Sequence, residues 1–345
     1  WAKELIGPIV FLRDGGLFIE AGSLYDMLDT AMANTHAIRS VAWQKVVSSL
    51  RTLARWWPRF NSIGRARVEV AHHYDLSRRF FELFLDENMQ YSCAYFHHKK
   101  VGLDEAQQAK MHRIASKLLL HPGQRVLDIG CGWGGLALYL ARHTGVEVVG
   151  ITLSKEQHKV AEERAAATGL SDLVTFKVQD YRLENTTYDR IVSVAMYEHV
   201  GVKNYSKFFG AIERLLEPNG IALLHSSGRR DGPGTTNQWE RKYIFPGGYA
   251  PALSEVVPVV ERTSLWITDI EILRLHYAET IKCWRENFQR NRTEIAQIYD
   301  ERFCRMWDFF LTASELSFRH NFYMVSQMQL SRGIQSVPLT RDYIV

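Results

Sequence analysis

The chain has 345 residues, is 46% hydrophobic and 23% charged, and carries a formal net charge of +4. That is ordinary globular composition, long enough for one large domain and an accessory segment, and the charge is too small to indicate nucleic-acid binding. Four scattered cysteines, Cys93, Cys131, Cys283 and Cys304, form no CxxC pair, which disfavours a zinc knuckle or redox pair and fits a reducing cytoplasm.

No secretory leader and no run of about 18 apolar residues is present, so no membrane span is expected. A start at Trp1 rather than Met predicts that residues precede it. From Arg39 to Arg67 there are seven basic residues and no acidic one, with Val46, Val47, Leu50, Leu53, Trp56 and Trp57 at helical spacing. This pattern reads either as a helix lying on an anionic membrane surface or as a packing helix with a solvated charged face. A helix is expected from Asp104 to Leu120. Then strands at Val126–Ile129, Val146–Ile151, Val174–Val178, Arg190–Val194 and Gly220–His225 alternate with helices at Leu136–Arg142, Lys155–Ala167 and Tyr205–Leu216. Such alternation means a mostly parallel sheet with helices on both faces. Arg229–Thr236 reads as a polar loop and Trp239–Pro246 as an aromatic stretch. Helices at Leu275–Phe288 and Glu294–Phe318 and a strand at Phe322–Leu330 complete the chain.

The first strand ends in Asp128 and runs into Gly130, Gly132, Gly134 and Gly135. A strand, a glycine turn and a helix make a nucleotide-type site, because a turn without Cβ atoms lets the backbone approach a ligand. No Gly-Lys-Ser/Thr follows, which disfavours a P-loop. No acid ends the second strand, whereas one precedes the first glycine. An acid there suits the cationic end of S-adenosylmethionine better than a dinucleotide pyrophosphate.

Open α/β sheets bind ligands beyond the carboxyl ends of their strands. There the sequence places Thr152, Leu153, Ser154 and Gln157, suited to a ribose, and Gln179-Asp180-Tyr181, where Asp180 can accept from an adenine amino group. Tyr197-Glu198-His199 follows the fourth strand and His225-Ser226-Ser227 the fifth. Glu198 sits among apolar and aromatic neighbours. It is either a base or cation stabiliser with a raised pKa, or a member of a structural salt bridge.

His73-Tyr74-Asp75, Met89–Phe96, Asp128–Gly135, Gly150–Gln157, Tyr197–Gly201 and Tyr243–Gly248 occur in the order found in the cyclopropane-fatty-acyl-phospholipid synthases and mycolic acid cyclopropane synthases, and residues 70 to 330 resemble that family. The resemblance implies a seven-stranded Rossmann-like methyltransferase sheet preceded by a small helical segment. It divides the chain into a basic, lipid-facing domain over residues 1–65 and a catalytic domain over 66–345. It implies a bacterial enzyme, cytoplasmic and peripheral to the inner membrane, acting on an unsaturated phospholipid acyl chain, with a homodimer left open. It also implies S-adenosylmethionine as methyl donor, contacted by Tyr91 and Ser92, and a bicarbonate base held by the Cys93 main chain, Glu198, His225 and Tyr277. Ser227 departs from the apolar residue often found two positions after the histidine. An added hydroxyl there can change the fate of the carbocation, giving a methyl-branched or methylene product instead of a ring. A non-catalytic lipid- or nucleotide-binding module would not need Glu198, His225 and Tyr277 together.

Overall fold

The computed structural model describes residues 12–16, 19–34, 76–98, 100–320 and 322–344. The basic segment Arg39–Arg67 and the His73-Tyr74-Asp75 motif lie outside the described residues. In chain order the described elements begin with α1 (Leu24–Ala33), α2 (Arg78–Glu82) and α3 (Leu103–Leu118). The alternating region holds β1 (Arg125–Ile129), α4 (Gly135–Thr144), β2 (Glu147–Thr152), α5 (Lys155–Ala167), β3 (Val174–Val178), β4 (Tyr188–Val194), α6 (Tyr205–Leu215) and β5 (Leu216–Arg229). Then come α7 (Gln238–Tyr243), α8 (Leu253–Val260), β6 (Trp266–Leu273), α9 (His276–Arg290), α10 (Arg292–Ile298), α11 (Glu301–His320) and β7 (Tyr323–Ser331).

The strands form one seven-stranded sheet in the order β3-β2-β1-β4-β5-β7-β6. β1 to β5 pair in parallel, and β7 runs antiparallel between β5 and β6. The chain winds outward from β1 in one direction and restarts at β4 on the other side. This leaves a crevice at the carboxyl ends of β1 and β4, where open α/β sheets take ligands.

Period-two side-chain alternation builds the two cores. Val126, Val148, Val192 and Leu223 face one side, against Met111, Ile114 and Leu118 of α3 and Leu136, Ala137 and Leu140 of α4. Leu127, Ile129, Ile151, Ile191 and Leu224 face the other, against Phe208, Phe209 and Ile212 of α6 and Val256 and Val260 of α8. A third, aromatic core joins α2, α9 and α11 to the glycine loop through Phe80, Phe81, Phe84, Trp133, Trp284 and Trp307. Phe81 packs on Trp133 with ring centroids 5.3 Å apart. Leu28 of α1 enters the same core, so this part of the amino-terminal region is docked on the carboxyl-terminal helices.

Three expectations change. The helix read as Glu294–Phe318 is two helices, broken at Tyr299 and Asp300, where the Asp300 carboxylate accepts from the Phe303 amide at 2.6 Å and starts α11. The fifth strand extends past His225 to Arg229, because β7 continues to pair with it, so His225, Ser226 and Ser227 lie within a strand. β6, α7 and α8 were not read from the sequence. β6 is an edge strand whose face pattern is blurred by half-buried positions, and α8 contains Pro258.

Candidate active site

At the β1/β4 crevice lies a cavity of about 150 Å³. Its lining includes Tyr91, Ser92, Asp128, Gly130, Gly132, Thr152, Leu153, Gln157, Gln179 and Asp180. The glycine loop is tied down by Ile151, whose carbonyl accepts from the Gly130 and Cys131 amides at 2.9 and 3.1 Å. Two of its glycines are demanded by geometry. Gly130 has φ +87° and a Cβ there would lie 2.8 Å from Met196 Cβ. Gly134 has φ +81° and a Cβ would lie 2.7 Å from Phe176 Cζ. Gly134 therefore permits close helix–strand packing behind the loop and does not line the cavity. Ser154 also lies outside the lining: its hydroxyl caps α5 by accepting from the Gln157 amide at 3.2 Å. Thr152 donates to Gln157 Oε1 at 2.8 Å, so this pair presents one fixed polar face.

Asp128 is 1% exposed, and its Oδ2 has no partner among the described residues. Burial pushes its carboxyl up to about 7 against the opposing charge of Lys110. Asp180 is engaged differently. Arg182 Nε lies 2.7 Å from its Oδ1 and Arg182 Nη2 lies 2.6 Å from its Oδ2, and the Arg182 amide also donates to Oδ1 at 3.0 Å.

A second group of residues, outside this cavity's lining, follows β4 and lies in β5. Glu198 Oε1 accepts from the Ser227 amide at 2.6 Å, while Oε2 is sealed from solvent without a partner although the residue as a whole is only half-buried. Burial raises the Glu198 carboxyl, opposed by hydrogen bonds from Ser227, its own backbone and Ser226. His225 is buried, its Nδ1 3.2 Å from Gln327 Nε2, and its Nε2 has no partner. With the Gln327 amide donating to Nδ1, the imidazole proton sits on Nε2, pointing a donor away from the strand pair. Burial first, then the charges of Lys110 and Lys117, hold His225 well below its ordinary pKa, so it is neutral.

Cys93 and Tyr277 meet in a small cluster with Leu273 and Val325. Val325 is the β7 partner of Ser227, and Gln327 that of His225. The sheet register thus brings Cys93, Tyr277, Ser227 and His225 to one region. The Cys93 thiol is buried and its pKa is pushed well up by burial, which makes it a poor nucleophile.

Sequence reading missed Lys110 and Gln107. Both belong to the buried stripe of α3 at Ala106, Gln107, Lys110, Met111, Ile114 and Leu118. A lysine and a glutamine at helical core spacing were the available signal.

A model of the mycolic acid cyclopropane synthetase family matches residues 61–328. The chain is similar to the cyclopropane-fatty-acyl-phospholipid synthase of Escherichia coli (strain K12), with 44% identity over 272 residues, 79% of this chain and 70% of that protein. It is 38% identical over 285 residues to a probable fatty acid methyltransferase of Pseudomonas putida, covering 79% of this chain and 72% of that protein. Among solved structures it is similar to mycolic acid cyclopropane synthase CmaA1 complexed with S-adenosylhomocysteine and CTAB, at a TM-score of 0.73 and 31% identity, covering 77% of this chain and 98% of that one.

Proposed function

Because this chain belongs to the mycolic acid cyclopropane synthetase family of S-adenosylmethionine-dependent methyltransferases, we propose that it methylates the cis double bond of an unsaturated phospholipid acyl chain and closes a cyclopropane ring. The observation that carries the reading is the cavity at the glycine loop, where the buried Asp128 Oδ2 has no partner among the described residues, together with the unpartnered Glu198 Oε2 and His225 Nε2 on the β4–β5 side. Buried polar groups are nearly always satisfied, and orphans mark a place for a ligand. When bound, S-adenosylmethionine supplies an electrophilic sulfonium methyl, and bicarbonate supplies a small base for the proton lost on ring closure.

The residues divide that work. The glycine loop and Tyr91-Ser92 shape the cofactor cavity, Asp128 faces the cofactor's cationic end, and Asp180 with Gln179 faces the adenine, while Thr152, Leu153 and Gln157 border the ribose. Ser154 and Gly134 fix the backbone behind them. Glu198 Oε2 accepts the hydroxyl of the anion, and His225 Nε2, the Tyr277 hydroxyl and the Cys93 main chain donate to its oxygens. The rings of Tyr277, Trp284 and Phe318 exclude water and turn π-faces to a passing cation; Tyr277 lies 5.8 Å from Trp284 and 4.8 Å from Phe318.

One observation favours a second reading. Ser227, whose amide bonds Glu198 Oε1 at 2.6 Å, sets a hydroxyl-bearing residue beside that carboxylate. That can redirect deprotonation to a methylene product, or to a methyl branch if a separate hydride donor reduces it.

The membrane enters through residues 1–65, proposed as a basic lipid-facing domain ahead of the catalytic body 66–345, at the cytoplasmic face of the inner membrane. Among the described residues no helix is long and apolar enough to cross a membrane. The test is incubation of the protein with methyl-labelled S-adenosylmethionine and vesicles of cis-unsaturated phospholipid. Ring and methylene products both gain CH₂, and only the ring resists mild hydrogenation of a carbon–carbon double bond. Unlabelled lipid with a cofactor-competent protein would refute the substrate.

A further inference from the structure

We propose that Lys110 is a positioning residue whose ammonium clamps the Gln90–Ser92 segment into the cofactor cavity and sets the charge of Asp128 opposite it. The inference deepens the function proposed above and rests on that reading for its cofactor site.

Lys110 is completely buried in α3. Its Nζ donates to Gln90 Oε1 and, at 3.0 Å, to Ser92 Oγ. One turn earlier, Gln107 Nε2 donates to the Ser92 carbonyl at 3.0 Å and the Gln90 carbonyl at 3.3 Å. One face of α3 therefore grips both residues by side chain and backbone. On the far side, Asp86 accepts from the Gln90 amide at 2.8 Å and the Asn88 amide at 2.9 Å. Between these grips Met89 is held at φ +53°, a left-handed conformation that a non-glycine residue keeps only when its surroundings impose it. Met89, Gln90, Tyr91 and Ser92 all line the cavity.

A buried ammonium is costly, and a methionine of similar volume would fill the same space without that cost. The titratable groups that act on Lys110 are Asp86 and Cys93 in the segment it clamps and Asp128 at the end of β1. Cys131 in the loop feels Asp128, and His225 in β5 feels both Lys110 and Lys117. The charge of Lys110 thus acts on both the proposed cofactor group and the proposed anion group. Its charge favours the ionised form of Asp128, which attracts a cationic ligand, and the neutral form of His225.

Burial draws Asp128 toward its protonated form and the Lys110 ammonium opposes that shift. S-adenosylmethionine binding then rises with pH as Asp128 ionises, approaching about tenfold per pH unit below the midpoint, and removing the ammonium moves that rise to higher pH.

The experiment is calorimetric titration of S-adenosylmethionine, without lipid, into the wild-type protein and the Lys110→Met and Ser92→Ala variants between pH 6 and 8.5, with KM and kcat measured in parallel. Wild type is expected to bind more tightly as pH rises through the midpoint. Lys110→Met is expected to shift that rise upward and bind at least fivefold more weakly at pH 7.5 with KM for the cofactor raised more than kcat is lowered. Ser92→Ala, which keeps the charge, is expected to weaken binding with the rise in place. A folded Lys110→Met protein with the wild-type profile overturns the proposal. If that variant does not fold, wild-type affinity in Ser92→Ala, or a flat wild-type profile, overturns it instead. Because no lipid is present, a pH-dependent rise in binding without phospholipid methylation refutes the proposed substrate and leaves the positioning role standing.

Discussion

Replacing Glu198 by Gln separates the chemistry of this site from its stability. Glutamine keeps an oxygen for the Ser227 amide, which now bonds Glu198 Oε1 at 2.6 Å, and places an NH₂ where the unpartnered Oε2 stands. If Oε2 accepts the hydroxyl of a bound anion, the variant sets donor against donor. Loss of one anion-stabilising group in a dry site costs about 10²–10³ in turnover, or about 2.7–4 kcal/mol. Stability moves the other way. Folding raises the Glu198 carboxyl above its ordinary value of 4.5, so the protonated form is favoured. The stability linked to that proton is present below 4.5 and is lost as pH rises through the raised value. At pH 7.5 the wild type carries whatever buried charge remains, and the neutral glutamine carries none. The variant is therefore expected to melt no lower than wild type at pH 7.5, with the difference shrinking toward pH 5, and to bind S-adenosylmethionine normally. Its transfer of label to lipid is expected to fall at least a hundredfold. Near-wild-type turnover with intact cofactor binding would refute the assignment of Glu198, and a large drop in melting temperature would show a structural carboxylate instead.

Other perturbations probe the remaining parts. Gly134→Ala forces φ +81° on a residue with Cβ and drives that atom to 2.7 Å from Phe176 and 3.0 Å from Ala161; a loss of about 2–4 kcal/mol is expected from the strained backbone and the overlap, and an unchanged urea midpoint would contradict it. Asp180→Ala removes the acceptor proposed for the adenine amino group, and calorimetry with S-adenosylhomocysteine is expected to show about tenfold or greater weakening, as for a hydrogen bond to a charged group; unaltered affinity would leave Asp180 as a partner of Arg182 alone. Replacing Arg51, Arg55 and Arg59 together by Glu is expected to abolish salt-sensitive binding to anionic vesicles, since each basic residue near such a surface contributes about 1 kcal/mol. Equal binding of wild type to neutral and anionic vesicles at low salt would remove the lipid-surface reading of that segment.

The parallel half of the sheet was legible because each strand there is a short apolar run ended by polar or glycine punctuation. Asp128 followed by Gly130, Gly132 and Gly134 marked the crevice for the same reason. β6 escaped because no residue between Trp266 and Leu273 repeats an in–out alternation strongly enough to signal an edge strand. The Asp300-Glu301 pair was a readable helix start inside the long carboxyl-terminal pattern, hidden because apolar periodicity resumes on both sides of it. Residue-by-residue resemblance pointed to Cys93, His225 and Tyr277, and register accounts for their proximity: Ser227 pairs with Val325 and His225 with Gln327, and Val325 packs in the Cys93–Tyr277 cluster. Long-range pairing of this kind leaves no trace in local periodicity. Lys110 was hidden differently, as a charged residue on a buried helix stripe that is mostly apolar or small but also carries Gln107 and Lys117.

The charges of the site follow from that stripe. An acyl-chain carbocation needs negative charge nearby, yet two ionised carboxylates and a bicarbonate in a dry cavity would repel one another. The structure offers a resolution. Burial draws Asp128 and Glu198 toward their protonated forms, while Lys110 places a positive charge close enough to act on Asp128 and His225. Under the proposed function, a cationic cofactor favours the ionised form of Asp128 and the neutral His225 donates from Nε2, so negative charge is added in step with the cations that balance it. Glu198, bonded to the Ser227 amide, is a carboxyl of the proposed site whose shift has no cation among its causes. Under the proposed function the identity of residue 227 bears on product choice, because a hydroxyl there lowers the Glu198 carboxyl relative to an apolar side chain.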